Sequence, residues 1–519
     1  MTTIHDVIVI GSGVGGSAVA RRLGESGVKV LLLERGRPVP READNWSVEE
    51  VFFKRKYTAR ETWLDKRGAP FDPGAYYNVG GSTKFYGAAM FRLRPRDFED
   101  LEHKGGVSPA WPIGYRDLEP YYDEAEAMFG VHGDDAADRT APVGRRPYPF
   151  PAIQSEPVIA QMANRLRQQG LSPSPLPLAV DRRDGGKCIL CKTCDGFPCK
   201  LAAKNDAETC LLEPALATGN VELRTGALVK RLLLSPNGRS VTGVEVERDG
   251  TVETLSARLV VVSCNAVNSA ALLLRSASAA APAGVANSSG VVGRHYMTHN
   301  QSALMAVSTK INPTVFQKTL ALNDYYFGEP SWPYPMGQVQ MLGKLQGGML
   351  SANLPFLPKA AGRELARRSV DWIALSEDLP DPDNRVTVEG GRVKLATTPN
   401  NMEGHLRLVA KMKAALKGAG YPIVMTRSLS KHATAHQCGT VRFGSDPAKA
   451  ALDPFCRSFD HTNLFVVDAS FFPSSAAVNP ALTIAAQALR AADHMLRKDL
   501  GVAPDNATAS RGVPAYRIT

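Results

Sequence analysis

Residues 6–35 read DVIVIGSGVGGSAVARRLGESGVKVLLLER, and this stretch decides the fold. Val7 to Ile10 form an apolar run rich in β-branched residues and too short for a helix, which predicts a buried parallel strand. Gly11, Gly13 and Gly16 then supply G-x-G-x-x-G where strand should give way to helix. Such glycines let the backbone turn tightly and approach a pyrophosphate, which the positive end of the following helix attracts. The helix is expected to bury Val19, Ala20 and Leu23 and to stop near Gly27. A second apolar strand, Val28 to Leu33, ends in Glu34, eighteen residues after Gly16 and placed to accept hydrogen bonds from an adenosine ribose. Strand, glycine turn, helix, strand and terminal acid in that order point to dinucleotide binding, and the stretch alone leaves FAD and NAD(P) open.

A chain of 519 residues can bury a large core and divide into two or three domains. With 44% hydrophobic and 22% charged residues it has the composition of a soluble globular protein. The net charge of +10 comes from 61 Lys+Arg against 51 Asp+Glu, dispersed without a basic arm, so no nucleic-acid partner is expected. The first strand begins within a few residues of Met1, which leaves no room for a signal peptide and predicts a cytoplasmic protein. Leu259 to Leu274 is the longest apolar segment, is interrupted by Asn265 and Asn268, and is short for a membrane span.

Further along, Asn78 to Arg94 (NVGGSTKFYGAAMFRLR) is a second glycine-rich segment, and an amphipathic helix is expected from about Asp117 to Phe129. Another helical stretch lies near Pro157 to Gly170. Residues Val221 to Val262 alternate as strands separated by Asn-Gly and Asp-Gly turns, a meander that returns to the nucleotide sheet at Leu259 to Val262. From about Asn300 to Val424 the chain is rich in aromatics, Pro and Met and reads as a second domain, a sheet covering a ligand. The α/β pattern returns with a strand at Leu464 to Val467 and an amphipathic helix at Thr483 to Leu496. The Asn479-Pro480 junction before that helix suits an N-cap followed by the first helical position.

Three later stretches join the first motif: NVGGSTKFYGAAMFRLRPRDF, HQCGTVRFGSDP (His436 to Pro447) and NLFVVDASFFPSSAAVNPALTIAAQALRAADHM (Asn463 to Met495). Together with WPIGYRDLEPYY, PDNRVTV (Pro382 to Val388) and VVGRHYMTHN (Val291 to Asn300), they resemble the glucose-methanol-choline (GMC) oxidoreductases from end to end. The resemblance implies FAD rather than NAD(P), bound in a Rossmann-like domain, and oxidation of an alcohol carbon by hydride transfer to flavin N5. By motif, Gly11, Gly13, Gly16 and Glu34 would hold the adenosine diphosphate half of FAD, and Val229 would offer its backbone to the adenine. Gly80, Gly81 and Ser82 would approach the flavin or pyrophosphate, and Asp468 the ribityl-pyrophosphate region. His436 matches the catalytic base and Asn479 its partner, while Pro480 and Thr483 open a helix aimed at the flavin pyrimidine ring. Relatives that attach FAD covalently do so through a histidine where this chain has Phe85, so noncovalent FAD is expected. Cys264-Asn265 stands where relatives often have Ala-Gly.

Five of the eight cysteines fall in CILCKTCDGFPCKLAAKNDAETC, at Cys188, Cys191, Cys194, Cys199 and Cys210. The spacing of the first four approaches, without matching, a ferredoxin run. Cys188, Cys191, Cys194 and Cys199 are therefore candidate ligands for an iron-sulfur cluster or zinc, with a local disulfide or reduced thiols as the other readings.

The fold class expected is α/β: a Rossmann-like FAD-binding domain with a discontinuous second α+β substrate domain, an antiparallel sheet covered by helices. The FAD-binding portion is read as 1–110, 205–300 and 430–500, the substrate portion with the cysteine insertion as 111–204 and 301–429, and 501–519 as a tail. The activity expected is oxidation of a sugar, glycoside or polyol hydroxyl, with oxygen or an external acceptor as oxidant. A nonsugar alcohol is the alternative substrate, and a noncatalytic FAD-binding electron-transfer subunit the alternative of another class.

Overall fold

The computed structural model describes residues 4–353, 356–430 and 435–503. The apolar run pairs on both sides, which is why it carries no polar alternation: strand β1 (Ile4–Ile10) lies parallel between β2 (Val30–Glu34) and the strand Thr251–Val262. Helix α1 (Val14–Glu25) connects β1 to β2 and buries Ala18, Val19, Ala20 and Leu23. Val221–Thr225 continues the parallel order beyond β2.

Thr251–Val262 is long enough to serve two neighbours. Its first half pairs antiparallel with Val241–Arg248, which in turn pairs with Ala227–Leu234, and its last three residues lie parallel to Leu464–Val466. The expected meander is thus present, its strand returning to the nucleotide sheet at Leu259 to Val262. Asp249 and Gly250 at its tight turn both take positive φ, 49° and 79°, the conformation that an Asp-Gly hairpin turn requires. Among the described residues these strands make one sheet of seven.

A second sheet, of six strands, is antiparallel throughout, and Asn300–Val307, Gln338–Met341, Ser369–Ser376 and Ile423–Ser428 are its main members. The helices Pro157–Arg167 and Met402–Gly418 share a core with Leu304, Val370, Trp372 and Ala374, separate from the core of the nucleotide sheet. The helix Tyr115–Phe129, read from sequence as part of the substrate portion, instead packs against Ala481–His494 beside α1. No helix among the described residues is long and apolar enough to cross a membrane. Most of the expected tail, residues 504–519, lies outside the described residues.

Candidate active site

Four loops meet at the start of α1. Cβ atoms added to Gly11, Gly15 and Gly16 would stand 2.0–2.2 Å from the carbonyl oxygens of Ser263, Val467 and Gly11. Those glycines exist because backbone presses on backbone. Gly13 differs, since a Cβ there would meet nothing within 4 Å. The open space therefore lies over the Gly13 backbone, at the positive end of α1, where a pyrophosphate would bind. Gly80 and Gly81 border the same space, both with positive φ (83° and 59°), and a Cβ on Gly81 would approach the Gly13 Cα to 3.0 Å.

Glu34 organises this end. Its carboxylate accepts from the Ser12 amide at 3.0 Å, the Ser12 hydroxyl at 2.7 Å and the Gly36 amide at 2.7 Å. The Ser12 oxygen then accepts from the Gly80 amide at 3.2 Å, which ties the two glycine-rich stretches together. Three bonds leave the carboxylate capacity for a ribose hydroxyl. Asp468 is buried, accepts from the Ser269 hydroxyl and from the Ser470 amide, and follows Val467, whose carbonyl faces Gly15. Burial holds the Asp468 carboxyl above the usual range. Ser82 is exposed beside Gly81. Val229 lies in the strand that starts beside β2, where the Gly226 amide donates to the Gly36 carbonyl at 3.1 Å.

Asn265 gives the Cys264-Asn265 departure a structural account. With φ 77° it sits where glycine is at ease, and it offsets that strain by accepting from the Val267 amide at 2.9 Å and donating to the Gln437 side chain at 3.0 Å. It thereby links the dinucleotide end to the loop that carries His436.

At the other end stand His436 and Asn479, brought together from 43 residues apart, with His436 Nε2 at 3.3 Å from Asn479 Nδ2. His436 has φ 57°, a strained backbone of the kind that collects at functional sites. The residue is half-buried; desolvation, then the neighbouring His299, which is positive only once it is itself protonated, and the Lys318 charge push its imidazole down to about 3. It is therefore an unprotonated acceptor at neutral pH. The helix begins one residue later than an Asn479 cap requires: it spans Ala481–His494 with Pro480 as N-cap. Asn479 does not cap it, because its amide is turned to His436, and its Oδ1 is buried without a hydrogen-bond partner. The Thr483 hydroxyl is engaged with Tyr122 at 2.9 Å, which leaves the backbone of the first helical turn to face the site.

Sequence reasoning missed the supports of this pair. His299 Nδ1 lies 3.0 Å from His436 Nδ1, and His299 Nε2 lies 3.0 Å from the Ser475 carbonyl. Just beyond the strand Ser369–Ser376, Glu377 accepts from the Ala476 amide at 3.0 Å, and Asp378 accepts from the His299 amide at 2.9 Å and the Ser475 hydroxyl at 3.2 Å. His299 does lie in the VVGRHYMTHN motif, whereas nothing local marks Glu377 and Asp378.

The cysteine segment requires a correction. Among the described residues no group of His, Cys, Asp or Glu side chains is arranged to hold a metal ion, and Cys188, Cys191, Cys194 and Cys199 are free thiols. Neither iron-sulfur nor zinc has a ligand set here. The segment folds instead around a cation, the buried Lys204 ammonium, which donates to the carbonyls of Tyr86 (2.8 Å), Cys194 (3.0 Å) and Phe197 (2.7 Å). Burial pushes the Cys194 thiol up to about 12, so it stays protonated. What the segment delivers to the site is Asp195, which pairs with Lys318 at 2.6 Å. The pair presses on Gly87, whose Cβ would fall 1.7 Å from Asp195 Oδ1 and 1.9 Å from Lys318 Nζ. Phe85 stacks on Tyr76 with ring centroids 4.0 Å apart.

Two profiles described as GMC oxidoreductase match residues 6–301 and 373–488. Paromamine 6'-oxidase of Streptomyces fradiae is 33% identical over 94% of this chain and 91% of its own length. The 6'''-hydroxyparomomycin C oxidase of Streptomyces lividus is 32% identical over 94% and 90%. Pyridoxine 4-oxidase from Mesorbium loti superposes with a TM-score of 0.65 at 20% identity, over 94% of this chain and 99% of that one.

Proposed function

The chain belongs to the GMC oxidoreductase family, and on that footing we propose that it oxidises a hydroxyl of a sugar, glycoside or polyol to a carbonyl. It is an FAD-dependent enzyme acting on alcohols. FAD, when bound, accepts the hydride and passes the electron pair to oxygen or an external acceptor. The sugar reading is supported by the relatives that are about one-third identical over nearly the whole chain, whose names place them on paromamine and 6'''-hydroxyparomomycin C.

One observation carries the mechanism: a neutral imidazole, His436, whose Nε2 lies beside the amide of Asn479. An alcohol is a poor hydride donor until its hydroxyl proton is leaving, so a base at the carbinol is needed. His436 Nε2 takes that proton. Asn479 holds the same oxygen in register by donating from Nδ2, the atom that stands next to His436 Nε2. The amides at the start of Ala481–His494, next to Pro480 and Thr483, would favour negative charge on a flavin ring bound before that helix.

The cofactor-holding set is Gly11, Gly13, Gly16 and Glu34 for the adenosine diphosphate half, with Val229 at the adenine. Gly80, Gly81, Ser82 and Asp468 approach the pyrophosphate and ribityl region. Attachment is noncovalent, since Phe85 offers no nucleophile and is held in a ring stack. The FAD-binding portion comprises 1–110, 205–300 and 430–500 and the substrate portion 111–204 and 301–429, with Tyr115–Phe129 going to the former by its packing. Free thiols at all eight cysteines suit a reducing, cytoplasmic setting.

The test is a visible spectrum of the purified holoenzyme before and after anaerobic addition of a sugar and aminoglycoside mixture. Flavin absorbance should bleach, and acid precipitation should release the flavin. A spectrum untouched by sugars but bleached by simple alcohols would overturn the substrate class.

A further inference from the structure

A neutral imidazole has one N–H and one lone pair, so its contacts fix which nitrogen carries which. The Ser475 carbonyl can only accept, and it stands 3.0 Å from His299 Nε2, so that nitrogen carries the proton. His299 is almost fully buried, which favours the neutral ring, and its lone pair is then on Nδ1. That lone pair faces His436 Nδ1 at 3.0 Å, and only a proton on His436 Nδ1 makes the contact attractive. The lone pair of His436 is left on Nε2, where the Asn479 amide donates toward it.

From this chain of contacts we infer that His299 is a positioning residue that locks His436 in the tautomer with a proton on Nδ1 and a free lone pair on Nε2. The inference deepens the functional reading and rests on His436 being the base. Unlocked, the imidazole divides between two tautomers, and the one protonated on Nε2 cannot accept a substrate proton there. Locked, it takes up the proton at Nε2 while the Nδ1–H bond to His299 stays in place.

The frame around the lock is rigid. Asp378 accepts from the amides of Thr298 (3.0 Å) and His299 (2.9 Å) and from the Ser475 hydroxyl (3.2 Å), so one carboxylate holds the backbone of His299 and the side chain of Ser475, the residue whose carbonyl meets the ring. On the other side Met297 and Cys438 exchange backbone bonds of 3.0 and 2.9 Å, and the Thr298 hydroxyl donates to the Ala435 carbonyl at 2.6 Å. The two histidine-bearing loops are therefore zipped together next to the rings. Lys318, which acts on His436 by its charge, is itself paired with Asp195, and Asn479 meets the ring at Nε2, not at Nδ1.

The experiment compares His299→Leu, which removes the acceptor, with His299→Asn, whose amide oxygen can stand near the position of Nδ1. Both are studied as FAD holoenzymes by anaerobic flavin reduction, by the split of kcat against KM, and by ring ¹⁵N shifts of histidine-labelled protein, with His436 assigned from His436→Asn. In the native enzyme His436 should carry its proton on Nδ1. The Leu variant should lose roughly 10–100-fold in flavin reduction with KM nearly unchanged and with His436 shifted to mixed tautomers. The Asn variant should recover most of the rate and the native ¹⁵N pattern. Native His436 protonated on Nε2, or a Leu variant as fast as native while His436→Ala is dead, would overturn the inference and leave the functional reading standing. Full-rate flavin reduction by His436→Ala would remove the base itself, and the inference with it.

Discussion

The two ends of the cofactor cleft are built from different materials. At the dinucleotide end the backbone does the binding: glycines are pressed against carbonyls at Gly11, Gly15 and Gly16, and space is left over Gly13. At the catalytic end side chains do the work, with two rings and an amide converging from His299, His436 and Asn479. The backbone site has a local signature, strand, turn and helix within thirty consecutive residues, even though Ser263, Val467, Gly80 and Gly81 close on it from elsewhere in the chain. A side-chain site draws on groups 137 and 43 positions apart and depends on how two sheets are joined.

The largest effect is expected at the catalytic end. His436→Ala should slow anaerobic flavin reduction roughly a thousandfold while FAD remains bound, as stopped-flow and the visible spectrum would show. FAD lost in step with the rate would erase the division between the two ends. Gly16→Ala should come next, because its Cβ would stand 2.0 Å from the Gly11 carbonyl oxygen. A loss of about 3 kcal/mol in apoprotein stability is expected from thermal unfolding. Gly13→Ala sharpens the contrast: the apoprotein should melt as the native one does, while FAD affinity falls roughly tenfold, and turnover at saturating FAD should stay near native.

The smallest effect is electrostatic. With the His436 imidazole pushed down to about 3, kcat/KM should stay level as pH falls through 6.5 and decline only well below it. In that window the unfolded chain binds a proton at this histidine that the folded chain refuses, so acid lowers stability there. Lys318→Met removes the weakest of the three causes and should move the acid limb of kcat/KM modestly upward; a downward move would show that Lys318 does not act on the base through its charge.

Legibility in the sequence follows the same division. The strand, turn, helix and Glu34 were readable because each is dictated by its neighbours, and the meander at 221–262 was readable from alternation and its turns. His436 and Asn479 were found only through motifs shared with a family. The helix cap was misplaced by one residue, at Asn479 instead of Pro480, because Asn479 has two uses for one amide and the contact with His436, distant in sequence, prevails. The cysteines were misread because spacing reports which thiols are near one another in the chain. It is silent about Lys204, whose ammonium takes the centre of the loop. Glu377 and Asp378 had no local signal at all, since two acids after a strand look like any solvated strand end.

Those two acids also say something about chain length. Ser369–Ser376 pairs residue for residue with Asn300–Val307, Ser376 opposite Asn300, so His299 and the acids come off the ends of one matched pair of strands. One residue added between Ser369 and Ser376 would carry Glu377 and Asp378 about 3.3 Å onward and turn each to the opposite face. The grip on His299, Ser475 and Ala476 would fail together. An addition at the Gly390-Gly391 turn, between the strands Arg385–Glu389 and Arg392–Ala396, would touch none of it. The active site is thus guarded by a measured interval as much as by chosen residues, and it would forgive many substitutions along that strand before it forgave one insertion.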